Sequence, residues 1–335
     1  MFSHDHIVLL SAAEVAELLE GHDEEIITVV AEAYKTHARG QTSVPLSTFL
    51  TLPNPSNRII ALPAYIGGAQ PAAGIKWIAS VPENVKKGLD RASALIILND
   101  LETGRPQALL SGSLISIKRT AASAVLFLLL TGANTECLAI LGCGPVNYHI
   151  ARLSHIACPS LTDFIVFDID SDRATAFATR IKVLEGVRHV RIASSVENVC
   201  SESNLVSIAT TASQPYIDCA HTLCRGSVVL HISLRDIAPS LILKADNIVD
   251  DQDHACRAET SLHLAEKQVG NRDFIRCTLG DILLGKAVAK TLPDRPVIFS
   301  PFGLGILDVA VAAFVVDQAV QKRKGTVVPG FGATE

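Results

Sequence analysis

The sequence predicts an α/β protein in which a doubly wound parallel sheet is joined to a separate α+β domain. Three observations predict it. From residue 137 onward, apolar strand-like runs alternate with helical ones, the pattern of parallel βαβ units with right-handed crossovers. Ahead of residue 113, short β-like runs are set off by Gly, Pro and Asn, as in a mostly antiparallel sheet. With 335 residues, 48% of them hydrophobic, the chain is long enough for two cores.

The elements follow in order. Residues 11–38 read as two helical pieces around Gly21-His22, with Val15, Leu18 and Leu19 and then Ile26, Val29 and Val30 at helical spacing. Ser11 and Glu14 have capping-box spacing. "RIIALPAYIGG" (58–68), "AAGIKWIASVP" (72–82) and "ASALIILND" (92–100) read as strands, and "NDLETGRPQALL" places a turn before another. A helix is expected over 113–131. Strand and helix then alternate through "CLAILGCG", "PVNYHIARLSHIA", "DFIVFDID" and "SDRATAFATRIKVL", with later strands in "HVRIAS", "LVSIATTA", "SVVLHISL" and "NIVDD". "PFGLGILDVAVAAFVVDQAVQKRKG" (301–325) is a Gly turn leading into a long apolar helix.

Composition removes several function classes. A net charge of −5 offers no basic face, so no nucleic-acid partner is expected. "AASAVLFLLLTGA" (121–133) comes closest to a membrane span but is too short, so a buried helix and no membrane partner are expected. The acidic and His-bearing start "MFSHDHIVLL" does not read as a signal peptide, and the eight scattered cysteines read as free thiols, so a cytoplasmic location is expected. With eleven histidines that lack metal-ligand spacing, and an Asp250-Asp251…Asp253 cluster that reads as a solvated loop, no metal is expected.

The chemistry starts at Gly142-Cys143-Gly144, which follows a strand and opens a helix, as a Rossmann-type dinucleotide fingerprint requires. Gly142 allows the tight turn, Gly144 lets backbone approach a pyrophosphate, and helix amides favour the anion. The third position is Asn147 where Gly or Ala is usual, so the helix is expected to sit slightly further from the sheet. Cys143 is expected there for its small size. Asp168 ends the second strand, where a carboxylate bonds the ribose hydroxyls and repels a 2′-phosphate, so the expected cofactor is NAD; the plain alternative is a loop carboxylate. "ATTASQ" (209–214) supplies small residues to line it. Lys76 lies in an apolar strand, where burial is costly unless paired and depresses the pKa. That suits proton transfer or polarising a carboxylate; the alternative is a snorkelling edge lysine.

"GIKWIAS", "LNDLETGRPQALLSGSLISIKRTAAS", "AILGCG", "ATTA" and "PFGLGILDVAVA", in this order, resemble the ornithine cyclodeaminase/mu-crystallin family over about residues 10–325. Within it the chain looks most like the branch of N-(2-amino-2-carboxyethyl)-L-glutamate dehydrogenases, which form 2,3-diaminopropionate for siderophores and peptide antibiotics. The resemblance implies a substrate-binding and dimerisation domain at 1–115 with 308–330, an NAD-binding domain at 116–307, and a homodimer acting on a small amino-acid substrate. It implies that Arg58 and Arg119 hold the substrate α-carboxylate and that Lys76 and Asp236 are catalytic. Arg91 stands where a Thr contacts ornithine in ornithine cyclodeaminase, and a cation there suits an extra substrate carboxylate. The expected cofactor residues are Thr120, Gly142, Gly144, Pro145, Val146, Asn147, Asp168, Thr210, Thr211 and Ser233. His231 is expected as a core histidine, and Asp308 as a helix cap or dimer contact, the lesser alternative being a contact to substrate or nicotinamide ribose. Other activities stay open: ornithine cyclodeaminase, alanine dehydrogenase, ketimine reductase, or non-catalytic ligand binding as in mu-crystallin.

Overall fold

The computed structural model describes residues 6–54, 56–133, 136–218, 223–290 and 294–330. The chain forms two compact units, Met1–Arg119 with Leu304–Glu335, and Thr120–Gly303.

The first unit opens with β1 (His6–Leu10), α1 (Ala12–Leu19) and α2 (Asp23–Ala38). Ser11 caps α1 in the expected capping box with Glu14, and Val15, Leu18 and Leu19 form its buried face. Next come β2 (Thr42–Ser43), β3 (Thr48–Thr51), β4 (Arg58–Ile66), β5 (Ala72–Ser80), β6 (Ala92–Asn99) and β7 (Pro106–Ser111). A short 3-10 helix, Pro82–Lys87, links β5 to β6. α3 (Ser113–Thr131) then carries the chain across the unit boundary.

The second unit supplies β8 (Cys137–Leu141), α4 (Pro145–Ala157), β9 (Asp163–Phe167), α5 (Ser171–Lys182), β10 (His189–Ile192), α6 (Val196–Glu202), β11 (Leu205–Ile208) and β12 (Val228–His231). It continues with α7 (Pro239–Ile242), β13 (Asp246–Val249), α8 (Gln252–Ala255), α9 (Ser261–Val269), β14 (Ile275–Thr278), α10 (Leu279–Leu283) and β15 (Val297–Phe299). The chain returns to the first unit in α11 (Gly305–Lys322) and β16 (Thr326–Pro329).

The second sheet runs β10-β9-β8-β11-β12-β15-β13-β14 with every pairing parallel. Its strand order reverses between β8 and β11, the switch point at which open α/β sheets place ligands. The doubly wound Rossmann-type sheet and the accompanying α+β unit are thus both present. The first sheet runs β16-β1-β7-β6-β5-β4-β2, with β3 also on β4. It is antiparallel except between β1 and β7. β1, β2, β3 and β16 lie outside the strands expected from the sequence, because two to five residues carry too little alternation to read.

One face of β4, β5 and β6 packs on α11. Gly305 makes that approach close: a Cβ there would stand 3.0 Å from Leu62 O and 3.1 Å from the Ala64 Cβ. The other face carries Tyr65, Trp77 and Leu95, all largely exposed. Trp77 pairs across the strands with Ala61 and Leu95, so this is a continuous apolar surface. α3 is the one helix among the described residues long and apolar enough to cross a bilayer, yet 61% of its apolar window is buried, as expected of a core helix. Lys118, on α3, donates to Leu19 O and Asp23 and ties it to the first unit.

The acidic cluster is not a solvated loop. Asp250 is buried and accepts the amides of Phe302 and Gly303, while Asp251 caps α8. Only Asp253 behaves as expected, pairing with Arg272 at the surface. Among the described residues no His, Cys, Asp or Glu group is arranged to hold a metal. The seven described cysteines are free; Cys219 lies outside the described residues.

Candidate active site

In the second unit, β8 ends in the Gly142-Cys143-Gly144 turn and α4 begins at Pro145. Gly142 has φ +90°, and a Cβ there would collide with Ala209 O; the Thr210 Cα lies alongside. Only glycine fits that position. Gly144 differs. A Cβ there would find one heavy atom within 4 Å, Arg173 Nη2 at 4.0 Å. Internal packing does not demand Gly144, so its missing side chain leaves space above the turn for a ligand. α4 begins there with no side-chain cap, so its first amides, those of Val146 and Asn147 among them, meet an anion uncovered.

Asn147 fills the third position of the fingerprint with a fully bonded side chain. It is fully buried and its Nδ2 donates to Leu141 O at 2.8 Å and Gly142 O at 2.7 Å. Its Oδ1 accepts from Ser207 Oγ at 2.7 Å. The side chain therefore pins the turn to both β8 and β11. Asp168, just past β9, accepts the Cys143 amide at 2.7 Å through Oδ2 and the Asp170 amide at 3.1 Å through Oδ1. Burial, with the Asp168 charge, pushes the Cys143 thiol up to about 12, so it is no nucleophile. These residues fit a dinucleotide: an open glycine position, uncapped amides and a carboxylate at the second strand's end.

A second cluster of this unit surrounds Asp236, which is fully buried. Thr210 Oγ1 and Ser233 Oγ donate to its two oxygens. These hydroxyls, which the sequence places along the cofactor, are thus turned to the carboxylate, while Thr211 is exposed. His231 is a core histidine, as expected, yet it also supports the site. Its Nε2 lies 3.3 Å from the Asp236 amide and 3.4 Å from Oδ2, and its Nδ1 lies 3.0 Å from Ser300 Oγ. Leu234, at φ +73°, takes the left-handed conformation that folds the loop back, at a cost of about 1–2 kcal/mol. Burial alone would raise the Asp236 carboxyl, but His231 and the two hydroxyls outweigh it and hold it below the usual range. Tyr216, not anticipated from the sequence, adjoins this residue: its amide donates to the Asp236 carbonyl at 2.9 Å, and burial with the Asp236 charge pushes its phenol up. "SQPYID" carries no signal that could have revealed it.

In the first unit, Lys76 sits mid-sheet between Leu62 and Ile96 and is buried, so it is not an edge lysine. Its Nζ donates to Asp308 Oδ2 at 2.6 Å and Ser116 Oγ at 3.2 Å. Arg119 Nε donates to Asp308 Oδ1 at 3.1 Å. Asp308 is therefore neither a cap nor a dimer contact. It is fully buried, one turn into α11, where the close start at Gly305 sets it against β5. Burial, helped by the Arg119 charge, lowers Lys76 to about 8 against the opposing pull of Asp308. For Asp308 burial is outweighed by Arg119 and Lys76, and the carboxyl stays low. At the end of the same strand, Arg91 Nη1 donates to Ser80 Oγ at 3.0 Å, and Ser80 stands opposite Arg58. Arg58 and Arg91 thus meet at one sheet end, and Thr120 follows Arg119 on α3.

The family model described as "Ornithine cyclodeaminase/mu-crystallin family" matches residues 5–323. The chain is 29% identical over 329 residues to N-((2S)-2-amino-2-carboxyethyl)-L-glutamate dehydrogenase of Staphylococcus aureus (strain NCTC 8325 / PS 47), covering 96% of this chain and 97% of that protein. The crystal structure of CmnK superposes with a TM-score of 0.88 at 29% identity, covering 98% of this chain and all of the other. Thermococcus litoralis Δ1-pyrroline-2-carboxylate reductase, in complex with NADH and L-proline, shares the fold with a TM-score of 0.88 at 23% identity, over 96% and 99% of the two chains.

Proposed function

The chain belongs to the ornithine cyclodeaminase/mu-crystallin family, and from that premise we propose that it oxidises and hydrolyses N-(2-amino-2-carboxyethyl)-L-glutamate to L-2,3-diaminopropionate and 2-oxoglutarate. It is an NAD-dependent oxidoreductase. The Gly142–Gly144 turn and Asp168 would hold NAD, which would supply the acceptor for the hydride of the glutamate α-carbon. The substrate C–N bond becomes an imine, and water then cleaves it.

The chain's own residues bind the substrate and move its protons. Arg119 and Lys76, both paired to Asp308, hold the α-carboxylate as cations. Asp236 takes the amine proton and later the proton of the attacking water. Because its carboxylate is covered, the proton passes through Thr210, whose hydroxyl donates to it. The observation that carries the substrate assignment is the meeting of Arg91 and Arg58 at Ser80, on the sheet that holds Lys76. Two cation groups in one unit suit a substrate with more than one carboxylate. The 29% identity to the staphylococcal dehydrogenase supports the same reading. Mass spectrometry of products from candidate amines with NAD tests it: 2,3-diaminopropionate and 2-oxoglutarate are expected, and faster turnover of ornithine, alanine or a cyclic imine would replace this reading.

Arg91→Thr is expected to lower kcat/KM for that substrate roughly 10–100-fold, the worth of a charge-assisted contact. KM for NAD should stay the same, and Arg91→Lys should recover part of the loss because an ammonium lacks the planar fork. Asp168 leads to a further expectation, a higher kcat/KM with NAD than with NADP; equal values in steady-state kinetics would remove its role.

The same reading assigns the chain to a cytoplasmic homodimer that supplies 2,3-diaminopropionate to siderophore or peptide natural-product synthesis. The exposed Trp77 face of the first sheet is the surface we assign to the second copy. Light scattering at micromolar concentration should find a dimer for the wild type and a monomer for Trp77→Glu.

A further inference from the structure

The turn at Gly142–Gly144 has a cation beside it that the fingerprint does not require. Arg173 lies in the first turn of α5, five residues beyond Asp168. Its Nη2 is the one heavy atom within 4 Å of the position a Gly144 Cβ would take. The guanidinium therefore borders the space that Gly144 leaves open. Its charge also reaches the next residue back, where it opposes the upward push of burial and Asp168 on the Cys143 thiol.

Three carboxylates share this corner, Asp168, Asp170 and Asp172. Asp168 accepts the Cys143 and Asp170 amides, and Asp170 accepts those of Asp172 and Arg173. Among the described residues no ion pair joins the Arg173 guanidinium to any of them. A dinucleotide brings two further negative charges into this acidic corner, and the backbone amides of the turn carry only partial positive charge. A full cation at the turn offsets that repulsion, and a planar guanidinium presents the donor fork that matches phosphate oxygens.

We propose that Arg173 is the phosphate-binding cation of this turn and pairs with the diphosphate of the bound dinucleotide. The proposal rests on the reading of the turn as an NAD site. Arg173 is exposed and packs into no core, so its substitution leaves the fold intact.

Titration calorimetry with NAD, ADP-ribose and ADP, with adenosine measured by displacement, tests it on the wild type, Arg173→Met and Arg173→Lys. The methionine variant should bind NAD, ADP-ribose and ADP about 10-fold more weakly and adenosine unchanged, with lysine between. The fall in NAD affinity with added salt should also be shallower in the methionine variant. Equal NAD and ADP affinities in wild type and Arg173→Met would overturn the proposal alone. So would an equal loss for adenosine, which would place the guanidinium on the base instead. Failure of the wild type to bind NAD at all would overturn the dinucleotide reading, and this proposal with it.

Discussion

Asp236→Asn is expected to lower kcat by roughly 10^2–10^4-fold, the range lost when a positioned acid–base group is removed. The amide is nearly the same size and can still accept one hydroxyl, so the melting temperature should change little. What goes is the negative charge that Thr210 and Ser233 donate to and that His231 adjoins. The chemical step alone should suffer: single-turnover hydride transfer slows, while NAD binds as before. A variant that keeps wild-type kcat would exclude Asp236 from proton transfer. The low-lying Asp236 carboxyl stays ionised through neutral pH, so it contributes no break in the pH profile above its ordinary range.

Lys76→Met should lower kcat/KM by roughly 10^2–10^3-fold, because it removes a buried cation from a charge-paired site. Asp308 keeps Arg119 as a partner, so the fold should persist. The pH profile gives a second readout. Burial lowers Lys76 to about 8, so the ammonium is present below that pH and is lost above it. If the ammonium holds the substrate carboxylate, kcat/KM falls through pH about 8 as the proton leaves. That limb should vanish in Lys76→Met, leaving a low and flat profile. A rate that instead rises through the same pH would make neutral Lys76 the working form and reassign it as a base.

Much of this architecture was legible from local pattern. α1 and α2 follow from helical spacing and the Ser11–Glu14 box, and the β8-to-α5 alternation follows from strand and helix periods. Lys76 stood out because an apolar strand tolerates a lysine only when something pairs with it. The partner itself was illegible: Asp308 is 232 residues away in sequence, and its neighbours on α11 read as an ordinary helix start. Asn147 looked like a defect in a short motif because Ser207, 60 residues on, gives its side chain a purpose. His231 and Tyr216 likewise take their meaning from a loop that Leu234 bends back through an unusual backbone angle. Local sequence carries propensity and period, whereas these contacts are created by packing between distant strands.

The buried Asn147 constrains the order in which this turn can change. Replacing it by the usual Gly or Ala strips a donor from Gly142 O and the acceptor from Ser207, each orphan costing about 1–3 kcal/mol, and takes a second donor from Leu141 O, which keeps the Ala209 amide. Replacing Ser207 first, by Ala, costs only one unmet acceptor lone pair on the asparagine. A path back to the common motif therefore runs through position 207 before position 147, and the reverse order passes through a less stable protein. Two positions that look independent along the chain are one unit of inheritance, and a substitution scan that varies them singly would misjudge both.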